Sequence, residues 1–336
     1  MRVFITGIAG FIGSHLAEAF LARGDRVCGI DNLIGGYRDN VPRGADWTVT
    51  DCNDFEKVKK ALRGVDVVYH CAATAHEGLS VFSPAENTRH GYMASATVFS
   101  AAAAVRVPRI VHCTSMARYG KGNHPPPFTE ETTPIPEDPY GIGKLASEHL
   151  LRNIAETHGL EYVIAVPHNV VGRHQVYTDP FRNAISIFAN LMLQGRQPVI
   201  YGDGEQQRSF SAIQDAIGPL VTMSHAANVV GEVINIGPDK EVVTVKHAAE
   251  LVAKEIGVPF NPIYKPGRPR EVKFAHCSAD KARRLLGYEP RVSLEQIIHE
   301  TVEWIRKRGV APFAYDMLNI EIENERLPET WAKRLF

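Results

Sequence analysis

Apolar and polar positions follow two rhythms along the first half of the chain. Short apolar runs are separated by stretches in which apolar residues recur every three to four positions. This pattern predicts strands at Arg2–Thr6, Arg26–Ile30, Val65–Cys71, Arg109–Cys113 and Glu161–Val166. It predicts helices at Phe11–Ala22, around Phe55–Leu62, at Tyr92–Val105 and at Tyr140–His158. The strands are mostly apolar and separated by helices, so a parallel sheet covered on both faces is expected. From about Val170 the rhythm breaks. Long loops are expected around His174–Arg182 and Tyr201–Ser211, with one more strand at Glu232–Ile236 and amphipathic helices at Thr244–Ile256 and Leu294–Lys307. Proline-rich stretches at His124–Pro127 and Lys265–Pro269 mark further loops. The expected fold class is α/β, with a doubly wound parallel sheet over residues 1–168 and a segment near 210–238 returning to it. A smaller mixed α/β lobe is expected from 169–209 and 239–310, followed by a C-terminal tail, 311–336.

Composition narrows the function classes. Hydrophobic residues make up 44% of the 336, enough for a large core and too many for a disordered chain. The 37 basic and 38 acidic side chains nearly cancel, which argues against a general electrostatic grip on nucleic acid or anionic membrane and leaves room for a local basic pocket. No apolar run approaches the roughly 18 residues of a membrane span. The first residues already read as a strand, so no signal peptide is expected. Cys28, Cys52, Cys71, Cys113 and Cys277 are scattered and form no CxxC pair, which favours a reducing, cytoplasmic setting. His76 and Glu77 begin like a zinc-protease motif, but the position that needs histidine holds Ser80, so no metal site is expected.

Three constellations carry chemistry. Gly7, Gly10 and Gly13 lie between a strand and a helix, where glycines let backbone approach a pyrophosphate and the helix start supplies free N–H groups. Asp31 ends the second strand, where a carboxylate can bond both ribose hydroxyls and repel a 2′-phosphate; this favours NAD over NADP, with nearby Arg38 keeping NADP open. Asp51 and Cys52 follow the next strand, where an adenine edge would sit. Finally, Tyr140 and Lys144 are four apart on one helix, with Ser115 upstream at a strand end. A neighbouring ammonium and a nicotinamide ring would lower the phenol's pKa, letting Tyr140 exchange a proton with an alcohol while Ser115 bonds the same oxygen.

Together these features resemble the extended short-chain dehydrogenase/reductases, which have a Rossmann-type NAD-binding domain, and within them the nucleotide-sugar epimerases and dehydratases. The likeness runs from Met1 to about Glu300. It includes His70–Ala73, Pro167–Gly172 and Tyr201–Phe210, with Arg268 at the place of a second diphosphate-binding arginine. It implies NAD as cofactor, held by Gly7, Gly10, Phe11, Ile12, Asp31, Asn32, Asp51, Cys52, Cys71, Ala72, Ala73, Tyr140, Lys144 and Pro167. It implies catalysis by Ser115, Tyr140 and Lys144. It implies a nucleotide-sugar substrate met by His76, Glu77, Ser115, Met116, Asn169, Asn183, Tyr201, Arg208, Arg268 and Ala275.

The family's dehydratases carry Asp-Glu after the catalytic Ser/Thr; here Met116 and Ala117 stand there, which favours a 4-epimerase on a UDP-hexose. Other conversions on the same scaffold (dehydratase, decarboxylase or 4-keto reductase, also on GDP-, CDP- or uronic-acid sugars) and a non-catalytic dinucleotide sensor are the alternatives. A small residue at Ala275 is associated with room for 2-acetamido sugars, or it is an ordinary buried alanine. The sequence departs from the family at Ser209, at Gly35 and Gly36 where many relatives have a polar cofactor contact, and in the polar segment 74–80. There His76, Glu77, Arg89 and Arg118 could read a carboxylate or form a surface network. The helices Tyr92–Val105 and Leu145–Ala155 are the family's usual homodimer surface. In the tail, Phe313, Tyr315, Leu318, Ile320 and Trp331 are expected to pack on the body or on a partner subunit, not to form a site.

Overall fold

The computed structural model describes residues 1–315 and 319–336. Through the first half the elements are β1 (Arg2–Thr6), α1 (Phe11–Ala22), β2 (Arg26–Asp31), β3 (Asp46–Val49), α2 (Phe55–Ala61), β4 (Val67–His70), two short helices α3 (Glu77–Ser80) and α4 (Pro84–Thr88), α5 (Ala94–Ala104), β5 (Arg109–Cys113), α6 (Pro139–His158) and β6 (Glu161–Pro167). The second half adds β7 (Val170–Val171), α7 (Ala184–Leu193), β8 (Val199–Tyr201), β9 (Gln207–Arg208), β10 (Ser211–Ala212), α8 (Ile213–Thr222), β11 (Val233–Ile236), β12 (Val243–Thr244), α9 (Val245–Ile256), β13 (Ile263–Lys265), β14 (Phe274–Ala275), α10 (Asp280–Leu286), α11 (Leu294–Arg308) and α12 (Glu329–Ala332).

Seven strands form one parallel sheet in the order β11-β6-β5-β4-β1-β2-β3. The fold is therefore α/β and doubly wound. Alternate residues of β1 serve opposite faces, as strand geometry requires. Val3 and Ile5 join Leu16 and Phe20 of α1 and Leu220 of α8 in one core. Phe4 joins Val98 of α5 and Leu151 of α6 in the other. Strand order reverses about β1, between β2 and β4, and a crevice opens beyond the carboxyl ends of the strands.

Three local features differ from the sequence expectation. The strand ahead of Asp51 is β3, a sheet edge with three of its four residues exposed, so no apolar run marks it and Val67–His70 is the fourth strand, not the third. The helix expected from Tyr92 opens as a π-helical turn over Arg89–Met93 before α5 begins. The stretch after Val170 holds two full helices, α7 and α8. Helix α7 is buried from Ile185 to Met192, so it lacks the polar face that reveals an amphipathic helix.

The smaller lobe packs α7, α9 and α11 around its own core. The tail closes over a fourth cluster. There the Trp331 ring meets Phe82, Phe181 and Tyr201, and Phe313 meets Phe336. Leu318 lies outside the described residues. No helix among the described residues is long and apolar enough to cross a membrane.

Candidate active site

A cleft of about 400 Å³ opens at the carboxyl edge of the sheet, between it and the smaller lobe. Its floor is the turn between β1 and α1. A Cβ on Gly13 would lie 2.1 Å from the Gly7 carbonyl oxygen, so only glycine lets α1 start this close to the strand. The helix's N-cap is Gly10, which has no side chain to satisfy the first-turn N–H groups. They are left for a ligand, and with the helix dipole they favour an anion. Gly7, Gly10, Phe11 and Ile12 line the cleft there.

Asp31 flanks the turn. Its carboxylate accepts from the Ala9 N–H (2.9 Å) and the Leu33 N–H (2.7 Å), and burial raises its pKa despite them. Asn32 donates to Asp51 at 3.3 Å, and both line the same end of the cleft with Cys52. Cys71, Ala72 and Ala73 line the cleft beyond β4, and Pro167 lines it at the end of β6. Arg38 is not on the wall; its guanidinium stacks on Trp47, 5.2 Å from the ring centre, so it is not poised to meet a 2′-phosphate.

Helix α6 delivers the candidate proton carrier. Asp138 caps it by accepting from the Gly141 N–H at 2.8 Å, and Pro139 takes the first helical position. A Cβ on Gly141 would come within 2.4 Å of the Ala117 carbonyl oxygen, so glycine sets α6 against the loop that carries Ser115. Tyr140, Lys144 and Ser115 all line the cleft. Lys144 donates to the Cys113 carbonyl at 2.8 Å, and its Nζ is 5.8 Å from the Tyr140 ring centre.

Burial outweighs the expected lowering of the phenol's pKa by Lys144. Burial pushes Tyr140 up to about 12, the charges of Glu77 and Asp138 act in the same sense, and Ser115 and Arg182 oppose them only in part. Burial also lowers the Lys144 pKa.

The opposite wall belongs to the smaller lobe. Asn169 donates to the Ser209 carbonyl at 3.0 Å, and Asn183 caps α7 by accepting from the Ile185 N–H at 2.9 Å. Tyr201 bonds the Thr330 hydroxyl. Arg208 donates to the Val272 carbonyl at 2.8 Å, and Arg268 to Glu271 at 2.6 Å. All five expected residues line the cleft, as does Glu77.

Three expected substrate contacts are not on the wall. His76 is buried, with Nε2 2.6 Å from an Asp179 oxygen, so it anchors its loop and does not line the cleft. Met116 packs beside the main core and accepts from Asn169 at 3.7 Å through sulfur. Ala275 is buried in β14, in register with Arg208 of β9, and does not line the cleft. Of the two arginines considered for a carboxylate, Arg118 is buried against Glu148 at 2.8 Å and Arg89 is exposed outside the cleft.

Other lining residues carry chemistry that the motifs did not mark. Asp138 could have been found as the cap signal ahead of Pro139. Arg182, Glu271 and Phe336 have no local signal. Phe336 brings the tail onto the cleft wall, contrary to the expectation that the tail takes no part in a site.

The turn, the uncapped helix start and the Asp31 carboxylate fit a dinucleotide. Residues 3–237 match the model of the NAD dependent epimerase/dehydratase family, and the chain belongs to that family. It is an NAD-dependent enzyme acting on nucleotide sugars.

The UDP-glucose 4-epimerase of Mycolicibacterium smegmatis is 31% identical over 325 residues, spanning 92% of this chain and all of that protein. Among solved structures, the UDP-glucose 4-epimerase of Thermotoga maritima with UDP-glucose superposes with a TM-score of 0.85 at 31% identity, over 92% of this chain and 99% of that one. The UDP-glucuronic acid 4-epimerase of Bacillus cereus, in complex with UDP-glucuronic acid and NAD, gives 0.85 at 29% identity, over 92% and 100%.

Proposed function

We propose that the protein is a 4-epimerase of a UDP-hexose, of the glucose/galactose or N-acetylglucosamine/N-acetylgalactosamine type. The observation that carries this reading is the placement of a single Ser115–Tyr140 pair in the cleft, while Met116 and Ala117 after Ser115 lie off the wall and carry no transferable proton. Epimerisation oxidises and re-reduces one carbon, so one proton carrier suffices. NAD supplies the chemistry of accepting a hydride from C4 and returning it. Tyr140 exchanges the proton of the 4-hydroxyl, and Ser115 hydrogen-bonds the same oxygen. Taking that proton as hydride leaves C4 requires the phenolate form of Tyr140, which burial disfavours. Arg208 and Arg268 hold the diphosphate, for which forked guanidinium groups are suited. Glu77 places a negative charge in the cleft close enough to raise Tyr140 and Asp138, which supports a neutral hexose over a uronic acid.

A second reading is nucleotide-sugar dehydration. It is favoured by Asp138, a cleft-lining carboxyl pushed up to about 7 by burial and by Glu77, which is suited to carry a second proton.

The test is incubation of purified protein with UDP-glucose, UDP-N-acetylglucosamine or UDP-glucuronic acid, read by proton NMR and mass. Inversion at C4 with unchanged mass supports the epimerase, and loss of water supports dehydration. No change in any of the three with NAD added overturns the UDP-sugar assignment.

We also assign a homodimer to the α5–α6 face, supported by Met93, in the turn ahead of α5, and Ile142 of α6, both more than half exposed. Light scattering that gives a monomer mass at micromolar concentration would refute it.

A further inference from the structure

The resemblance marks Gly35 and Gly36 as a departure from a polar cofactor contact, and the structure shows what uses the space. Gly36 forms a bridge with Gly10 of the phosphate turn, and a Cβ on Gly10 would lie 3.9 Å from the Gly35 carbonyl oxygen. Gly35 is thus beside the floor of the cleft. A Cβ built on Gly35 would lie 2.4 Å from an Nη atom of Arg182. This guanidinium comes from the other lobe, in the loop ahead of α7.

Arg182 lines the cleft, and its side chain is mostly buried. Its Nε donates to Asp179 at 3.3 Å, and that same carboxylate binds His76 at 2.6 Å. The two Nη groups make no hydrogen bond among the described residues. Arg182 also acts electrostatically on Asp31, at the adenosine end of the dinucleotide path, and on Tyr140, at its reactive end. A cation between those two groups, over the glycine turn, stands where the pyrophosphate of a dinucleotide passes.

We propose that Arg182 is a ligand of the cofactor's pyrophosphate, supplied by the substrate-binding lobe and admitted to the phosphate turn because position 35 has no side chain. Asp179 aims it by holding Nε, which leaves both Nη groups to fork onto phosphate oxygens. The inference rests on NAD occupying the glycine turn, and it ties cofactor binding to the lobe that receives the sugar.

The experiment measures NAD affinity calorimetrically on protein stripped of nucleotide, with UDP affinity and thermal stability in parallel. Wild type is compared with Arg182→Ala, Gly35→Ala and the double variant. Charged hydrogen bonds of this kind predict a roughly 10- to 100-fold loss of NAD affinity in Arg182→Ala, with UDP affinity unchanged. Gly35 does not have a positive φ, and the atom its new methyl would meet is the end of a flexible side chain. Gly35→Ala therefore keeps its stability but displaces the guanidinium, losing NAD affinity to a similar extent. In the Arg182→Ala background the same methyl costs nothing further.

Wild-type NAD affinity in Arg182→Ala overturns the proposal, as does loss of UDP affinity alone, which would give Arg182 to the substrate. Additive losses in the double variant overturn it too, since the two positions would then act separately. Failure of the wild-type chain to bind NAD would instead refute the cofactor reading itself.

Discussion

Replacing Asp138 with asparagine should change how stability depends on pH. Asp138 is 2% exposed. One oxygen accepts from the Gly141 N–H and from the Ser80 hydroxyl, and the other is buried without a partner. Burial and the Glu77 charge raise its carboxyl from 3.8 to about 7. Because the folded-state pKa is the higher one, the folded protein binds the extra proton. The associated stability is fully present below about pH 4 and is lost as pH rises through about 7. A difference of about 3 pKa units corresponds to on the order of 4 kcal/mol.

Asparagine keeps an oxygen for the helix cap but cannot ionise. Its own packing cost does not vary with pH and cancels when two pH values are compared. Urea unfolding of both proteins from pH 4 to pH 8 should show the variant gaining on wild type by up to about 4 kcal/mol across that range. A stability difference that stays flat from pH 4 to pH 8 would refute the claim that burial and Glu77 raise the Asp138 carboxyl. It would also remove the main support for a second proton carrier in the cleft.

Tyr140→Phe should lower turnover by about 10²- to 10⁴-fold while UDP binding stays within about twofold, as read by NMR turnover and calorimetry; turnover near wild type would exclude Tyr140 as the proton carrier. Gly13→Ala drives a methyl into the Gly7 carbonyl, a backbone group that cannot turn aside. It should cost about 3 kcal/mol or more in urea unfolding and abolish NAD binding, and a stable, NAD-binding variant would contradict the tight turn. Asp179→Ala leaves His76 and Arg182 without their shared partner in a buried setting; chemical denaturation should show a loss of about 3–5 kcal/mol. Unchanged stability would mean that something else joins the two loops.

What could be read from the sequence depended on the range of the interactions. The glycine turn, Asp31 and the Tyr140–Lys144 spacing are local, because a strand end, a helix start and one helical turn fix each of them. Those residues all line the cleft. The elements that escaped notice are those whose surroundings replace the usual local pattern. Edge strand β3 is too exposed to look apolar, and α7 is too buried to look amphipathic.

The same principle explains the errors within the site. His76 sits in a suggestive polar segment, but its partner Asp179 lies 103 residues away and turns it into an anchor. The resemblance puts Ala275 at the sugar, and nothing local shows that its neighbour is Arg208 across a two-residue strand pair. Arg182 was missed for the complementary reason. The signal for it was the missing side chain at Gly35, which reads as a lost contact in the chain and as room for a guanidinium in the fold. A departure from a family motif is therefore best treated as a question about which distant residue has moved into the space.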